Sequence, residues 1–149
     1  MMVNGRAKGA SYERQVAKNL EESLNIRFSR ILEQTREADL GDLQPDDDDF
    51  PFLIECKRRK QGHSISPDWW DQSCRAARKA GKLPALCWKY DRLPERWRIP
   101  IESLARLRGF VPAQNEDQYD WEHTAEVSFE DFCMIVRELM CDVDSTEQG

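Results

Sequence analysis

The sequence predicts an α/β domain, helices layered on a sheet, and three stretches carry that prediction. Tyr12, Val16, Leu20 and Leu24 recur at helical spacing. Phe52-Leu53-Ile54 is an apolar run that turns abruptly into Glu55-Cys56-Lys57-Arg58-Arg59-Lys60, the pattern of a buried strand with a charged end. Ser66-Pro67 and Gly81 frame a second helix, and Pro84 to Tyr90 behind it reads as another strand.

The elements follow in order. Residues 1–9, with Gly5, Arg6, Lys8 and Gly9 and no periodicity, read as a mobile basic arm. The first helix is expected from Ser11 as N-cap. Its Glu13 borders the apolar stripe, beside Ala17 and Leu20, rather than the outer face with Arg14 and Lys18; taken alone it reads equally well as a first-turn acid favoured by the helix dipole. Ile26 to Leu32 reads as a strand, Glu33 to Gly41 as a polar turn, and Asp42-Leu43 as one end of a short second strand. Gln44 to Asp49 is a turn-rich tip whose run Asp46 to Asp49 reads as solvated charge. The central strand is Phe52–Lys57. On the helix after Ser66, Gln72, Arg75, Lys79 and Lys82 fall on one side with Arg78 beside them, while Trp70, Cys74 and Ala77 fall on the other.

Trp97, Ile99 and Ile101 alternate with Arg98 and Pro100, which suggests an edge strand because proline cannot donate to a ladder. A short helix is expected around Glu102–Arg108, and 112–127, acidic and nearly aperiodic, reads as a linker. The last helix runs from Ser128 to about Met140, with Ser128 and Asp131 resembling a capping box. Its stripe of Phe129, Phe132, Cys133, Val136, Leu139 and Met140 must be buried on this body, on a second copy or on another protein. Residues 1–111 thus read as the core domain and 112–149 as an acidic appendage.

Composition narrows the function classes. A chain of 149 residues fits one domain with core enough to fold alone. No apolar run is long enough to cross a bilayer and no signal-peptide core is evident, so no membrane role is expected. Five cysteines, an odd number without C-x-x-C spacing, argue against a zinc site or disulfide framework and for reduced thiols in a cytosol. His63 and His123 read as surface residues rather than ligands. The net charge of −6 conceals an asymmetry: residues 111–149 carry −10 and residues 1–110 carry +4. A basic body in which arginine outnumbers lysine is compatible with nucleic acid despite the acidic total.

The chemistry concentrates on the central strand. Alternation sends Glu55 and Lys57 to one face and Cys56 to the other. Asp42, at the end of its own strand, is placed to meet Glu55 across a hairpin. Two converging carboxylates and a lysine make a divalent-metal site with a group to hold the attacking water, which is the equipment of phosphodiester cleavage. Glu-x-Lys alone is weak, and a surface ion pair at a strand end would look the same; the preceding apolar run, Asp42 upstream and the basic residues after it give the motif weight.

In that order, a helix bearing Glu13, a strand, Asp42, Glu55-x-Lys57, a helix bearing Gln72 and a further strand, the chain resembles the PD-(D/E)xK nuclease superfamily. Within it, Gly9 to Arg14, Ile54 to Arg58, Gln72 and Gly81 to Ala85 are most similar to archaeal-type Holliday junction resolvases and their bacteriophage relatives, over about residues 5–101. The family's Pro-Asp is Gly41-Asp42 here, its Gly- and Ser-rich loop is replaced by Glu33 to Arg36, and Asp39 is a rival to Asp42. The resemblance implies a restriction-endonuclease-like mixed sheet flanked by helices, with the C-terminal helix as an addition, and a homodimer in the cytoplasm (the host's, if phage-encoded). It also implies Mg²⁺ or Mn²⁺ held by Asp42, Glu55 and the Cys56 carbonyl, with Glu13 completing the shell directly or through water. Lys57 would act on the water or the developing charge, with Gln72 positioning it or the phosphate. Arg6, Lys8, Arg58, Arg59, Lys60, Arg75, Arg78, Lys79 and Lys82 would follow the backbone of DNA, expected to be four-way or otherwise branched. Two other readings stand beside it: a non-cutting DNA-binding or recombination-partner protein on this fold, and a nuclease acting on flaps or ends.

Overall fold

A computed structural model describes residues 5–31, 41–62, 64–106 and 120–147. Its elements are α1 (Gly5–Leu24), β1 (Phe28–Arg30), β2 (Leu43–Pro45), β3 (Phe52–Arg59), α2 (Pro67–Ala80), β4 (Leu83–Tyr90), β5 (Arg96–Pro100), α3 (Glu102–Arg106), a single 3₁₀ turn (Trp121–His123), β6 (Thr124–Val127) and α4 (Phe129–Glu147). The six strands form one sheet in chain order. Only β3 and β4 pair in parallel, in register from Phe52↔Leu83 to Arg59↔Tyr90; every other neighbour pair is antiparallel. A parallel pair needs a crossover, and α2 supplies it.

Helices cover both faces. Along β3, Phe52, Ile54 and Cys56 face the layer of α1 and α4, where they join Tyr12, Val16 and Leu20 with Phe132 and Val136. Leu53 turns the other way, against Ala76 and Ala77 of α2. Farther along that second face, Trp70 and Cys74 of α2 pack on Leu86, Trp88 and Tyr90 of β4. The period-2 alternation therefore sends Glu55 and Lys57 to the α2 side. α2 is bounded as its sequence implies: the Asp68 N–H donates to the Ser66 hydroxyl, Pro67 opens the first turn, and Gly81 closes the helix at φ 67°, a left-handed conformation that suits glycine.

Three features differ from expectation. α1 begins at Gly5 rather than at Ser11, so the basic residues Arg6 and Lys8 lie on a helix. β5 is not an edge: β6 pairs with it from Trp97↔Val127 to Pro100↔Thr124, and Pro100 is tolerated because it ends the strand. That strand occupies the end of the stretch expected to be a linker. α4 buries its stripe on the chain's own core, with Phe132, Cys133, Val136 and Leu139 joined by Ile135. The turn with Asp39 and the segment Glu33 to Arg36 lie outside the described residues, as do residues 107–119 and His63.

All five cysteines are free thiols, four of them buried. Burial pushes the Cys74 thiol up to about 12, as for packing residues rather than nucleophiles. Among the described residues, no helix is long and apolar enough to cross a membrane.

Candidate active site

The central feature is a pair of buried carboxylates on neighbouring strands. Asp42 is 6% exposed and Glu55 2%. Leu43 pairs with Ile54, so Asp42, in the bend just before β2, lies beside the Ile54–Cys56 stretch of β3. The main chain fixes the arrangement: the Asp42 N–H donates to the Ile54 carbonyl at 3.0 Å. The Cys56 N–H donates to Asp42 Oδ2 at 2.7 Å. A strand residue turns its N–H and C=O to the same edge, so the Cys56 carbonyl also faces the β2 side. Gly41 makes the approach possible. Its φ is +84°, and a Cβ there would meet Leu53 Cγ at 2.9 Å, which is why glycine can stand before the aspartate.

Lys57 and Gln72 complete the constellation. Lys57 Nζ donates to Gln72 Oε1 at 3.1 Å, joining the end of β3 to the middle of α2. Glu13 approaches from α1, only 12% exposed at its side chain, and its Oε2 accepts from Arg30 Nε at 2.7 Å. Glu13 and Asp42 both lie near enough to Cys56 to add to the burial that raises its thiol well above the usual range. The structure thus brings together Asp42, Glu55, the Cys56 main chain, Lys57 and Gln72, with Glu13 flanking them in an ion pair.

These residues suit a hard divalent cation by donor chemistry: two carboxylates and a carbonyl are all oxygen ligands, gathered where burial keeps their charge concentrated. Among the described residues no group of three or more His, Cys, Asp or Glu side chains could by itself hold a metal ion. A cation here would therefore draw on the two carboxylates and main-chain oxygen rather than on a cage of side chains.

The basic residues divide. Arg75, Arg78 and Lys79 are exposed on α2, as are Arg59 and Lys60 at the end of β3. Lys8 and Arg58 instead converge on Asp91, Lys8 at 2.9 Å, and hold its carboxyl below the usual range. Lys82 donates to the carbonyls of Asp48, at 2.9 Å, and Phe50, pinning the four-aspartate tip to the end of α2. These three cations brace the fold. Sequence reasoning missed Arg30 and Trp69. Arg30 is the partner of Glu13, while Trp69 lies under Lys57 and Arg59; cross-element pairs of this kind leave no periodic signal.

A mixed α/β sheet with an aspartate at one strand end and Glu-x-Lys on the next defines a PD-(D/E)xK nuclease. The chain belongs to the family described as "Phage putative PDDEXK endonuclease", whose model matches residues 4–143. No curated protein matches the chain. Among solved structures it is similar to the Archaeoglobus fulgidus Hjc, a Holliday junction resolvase from an archaeal hyperthermophile, at 18% identity and a TM-score of 0.48, over 80% of this chain and 86% of that one. A likeness that faint says nothing about substrate.

Proposed function

We propose that this nuclease is a divalent-metal-dependent DNA endonuclease that hydrolyses phosphodiester bonds in branched DNA, four-way junctions foremost, as a homodimer. The observation that carries the reading is the buried pair Asp42 and Glu55 with Lys57 anchored beside it. Preference for branched DNA rests on the motif resemblance of Gly9–Arg14, Ile54–Arg58, Gln72 and Gly81–Ala85.

Asp42, Glu55 and the Cys56 carbonyl would hold Mg²⁺ or Mn²⁺, with Glu13 reaching it through water. When bound, such an ion lowers the pKa of a coordinated water and offsets charge on the phosphate. Lys57 keeps its ammonium near the reacting phosphate, where it orients the water or meets the developing negative charge. Gln72 holds that ammonium in place by accepting a hydrogen bond from it. Arg75, Arg78 and Lys79 of α2, with Arg59 and Lys60 at the end of β3, form the path of the phosphate backbone, contacts that position the DNA without reading its sequence.

Cleavage of linear duplex, flap and four-way junction DNA in Mg²⁺, Mn²⁺ and EDTA tests the reading. Metal-dependent cutting that favours the junction is expected. Cutting that persists in EDTA would overturn the metal chemistry, and equal cutting of linear duplex would overturn the preference for branches.

A further inference from the structure

Beside the catalytic lysine lies an aromatic group that the proposed chemistry does not use. Trp69, in the first turn of α2, is half-buried and lies three residues before Gln72, so the two side chains share a face of the helix. That face looks onto β3 where Lys57 and Arg59 emerge, two residues apart on the same side of the strand. The Arg59 guanidinium lies 5.1 Å from the centre of the Trp69 ring and Lys57 Nζ lies 6.0 Å from it. The ring also stacks on Tyr90, at 6.5 Å with 29° between the planes.

Residues two apart on one strand face have backbones only about 7 Å apart, near enough for their like charges to repel. An indole offers an electron-rich face that attracts both, and attraction is felt within about 6 Å of the ring centre. Arg59 is well inside that range and Lys57 at its limit, so the ring governs Arg59 more strongly. Packing alone would be met by any large apolar side chain at this position. Only an aromatic ring also orders two cations at the site.

Resting on the nuclease reading above, we infer that Trp69 is a positioning residue for cleavage. With Gln72 it brackets the Lys57 ammonium, and it presents the Arg59 guanidinium as a preformed clamp for a DNA phosphate next to the one cut. Trp69 touches no reacting atom. It acts through Lys57 on the rate and through Arg59 on the binding.

The test compares Trp69→Leu, Trp69→Phe and Arg59→Ala with the wild type in two ways. The first readout needs no activity: acetylation of Lys57 by an N-hydroxysuccinimide ester, followed by mass spectrometry and scored against exposed Lys60. Trp69→Leu is expected to raise the Lys57:Lys60 ratio by roughly 2–5-fold, the effect of losing one cation–π contact, with Trp69→Phe close to wild type. The second is single-turnover cleavage and affinity for four-way junction DNA. Trp69→Leu is expected to slow cleavage and weaken binding by roughly 2–5-fold each. The binding loss should vanish when Arg59 is already alanine. An unchanged labelling ratio overturns the inference, as does a binding loss that persists in full without Arg59. If the wild type cuts no DNA while the ratio shifts as expected, the nuclease reading fails and the positioning of Lys57 stands.

Discussion

At the scale of single residues, the site makes unequal demands on its members. On the proposed reading, Glu55→Gln keeps the shape and removes the charge that a cation would need, and Lys57→Ala removes the group that would meet the water. Each should lower the cleavage rate by at least about a hundredfold, the usual range for a positioned acid–base or charge-stabilising group. Affinity for junction DNA, measured by fluorescence anisotropy in the same variants, should change little because it comes from the basic surface. Lys57→Ala protein that cuts at the wild-type rate would remove Lys57 from the site.

Glu95 offers a test of stability instead. Its carboxylate accepts from the Tyr12 hydroxyl at 2.9 Å and the Trp97 indole N–H at 2.7 Å. Burial raises its pKa; the bonds from Trp97 and Tyr12 and the charge of Lys89 pull it down, and Glu130 pushes it up. A carboxyl raised on folding costs nothing below its unfolded value, about 4.3. It then destabilises progressively as pH climbs through the folded value. A glutamine at this position can still accept from Trp97 and can donate to Tyr12. Glu95→Gln should therefore raise Tm at pH 7 and make no difference near pH 4, as followed by thermal melts across that range.

The residues also show what a sequence can reveal. Asp42, Glu55 and Lys57 were legible as candidates because strand alternation and strand ends are local; the Cys56 N–H donates to Asp42, and alternation along β3 turns Glu55 and Lys57 to the α2 side. Asp91 gathering Lys8 and Arg58, and the Lys82 clamp on the aspartate tip, were not. Each depends on where distant loops finish, and a basic residue looks alike in sequence whether it braces a hairpin or faces a phosphate.

At the scale of elements, α2 was read correctly from cap to cap, while α4 runs to Glu147, beyond the Met140 expected of it, and buries its stripe on the chain's own body, one of the three places the sequence allowed. The bounds of α2 are written in its caps, Ser66-Pro67 and Gly81. β6 was hidden because Thr124-Ala125-Glu126-Val127 is a half-exposed edge strand in acidic surroundings, with alternation too weak to register. Without β6, β5 looked like an edge and α4 like an appendage. Phe132 now shows how firmly α4 is held: its ring stacks on Trp97 at 4.1 Å and meets Phe52 at 5.1 Å, fully buried. Phe132→Ala should cost about 3–5 kcal/mol in urea melts, since the cavity opens among rigid aromatics. A loss under about 1 kcal/mol would mean that α4 is loosely seated. On α2, replacing Arg75 and Lys79 together should weaken binding to all DNA alike and reduce the salt dependence by roughly one unit per lost phosphate contact. An unchanged slope would return this helix face to the solvent.

At the scale of the whole molecule, the charge is laid out in two territories. The exposed cations of α2 and of the end of β3 lie on one face of the sheet, while α4, with exposed Glu130, Asp131 and Glu138, packs on the other. Metal should therefore matter more for cutting than for binding. Chelation is expected to abolish cleavage and leave junction binding within a few-fold, checked by gel shift in EDTA. Ca²⁺, with its looser coordination, should support binding and little cutting.

The sharing of one core by α1 and α4 has a consequence for how the protein is made. Tyr12 and Val16 leave the ribosome early, whereas Phe132 and Val136, which close the same layer, leave after every other described element. At translation speeds of about 5–20 residues per second, the layer beneath β3, begun by α1, stays incomplete for several seconds until α4 emerges. During that interval Phe52 lacks the Phe132 ring that it meets at 5.1 Å in the folded chain. A nascent chain that has yet to make α4 therefore carries Asp42, Glu55 and Lys57 and still lacks part of the floor on which β3 stands.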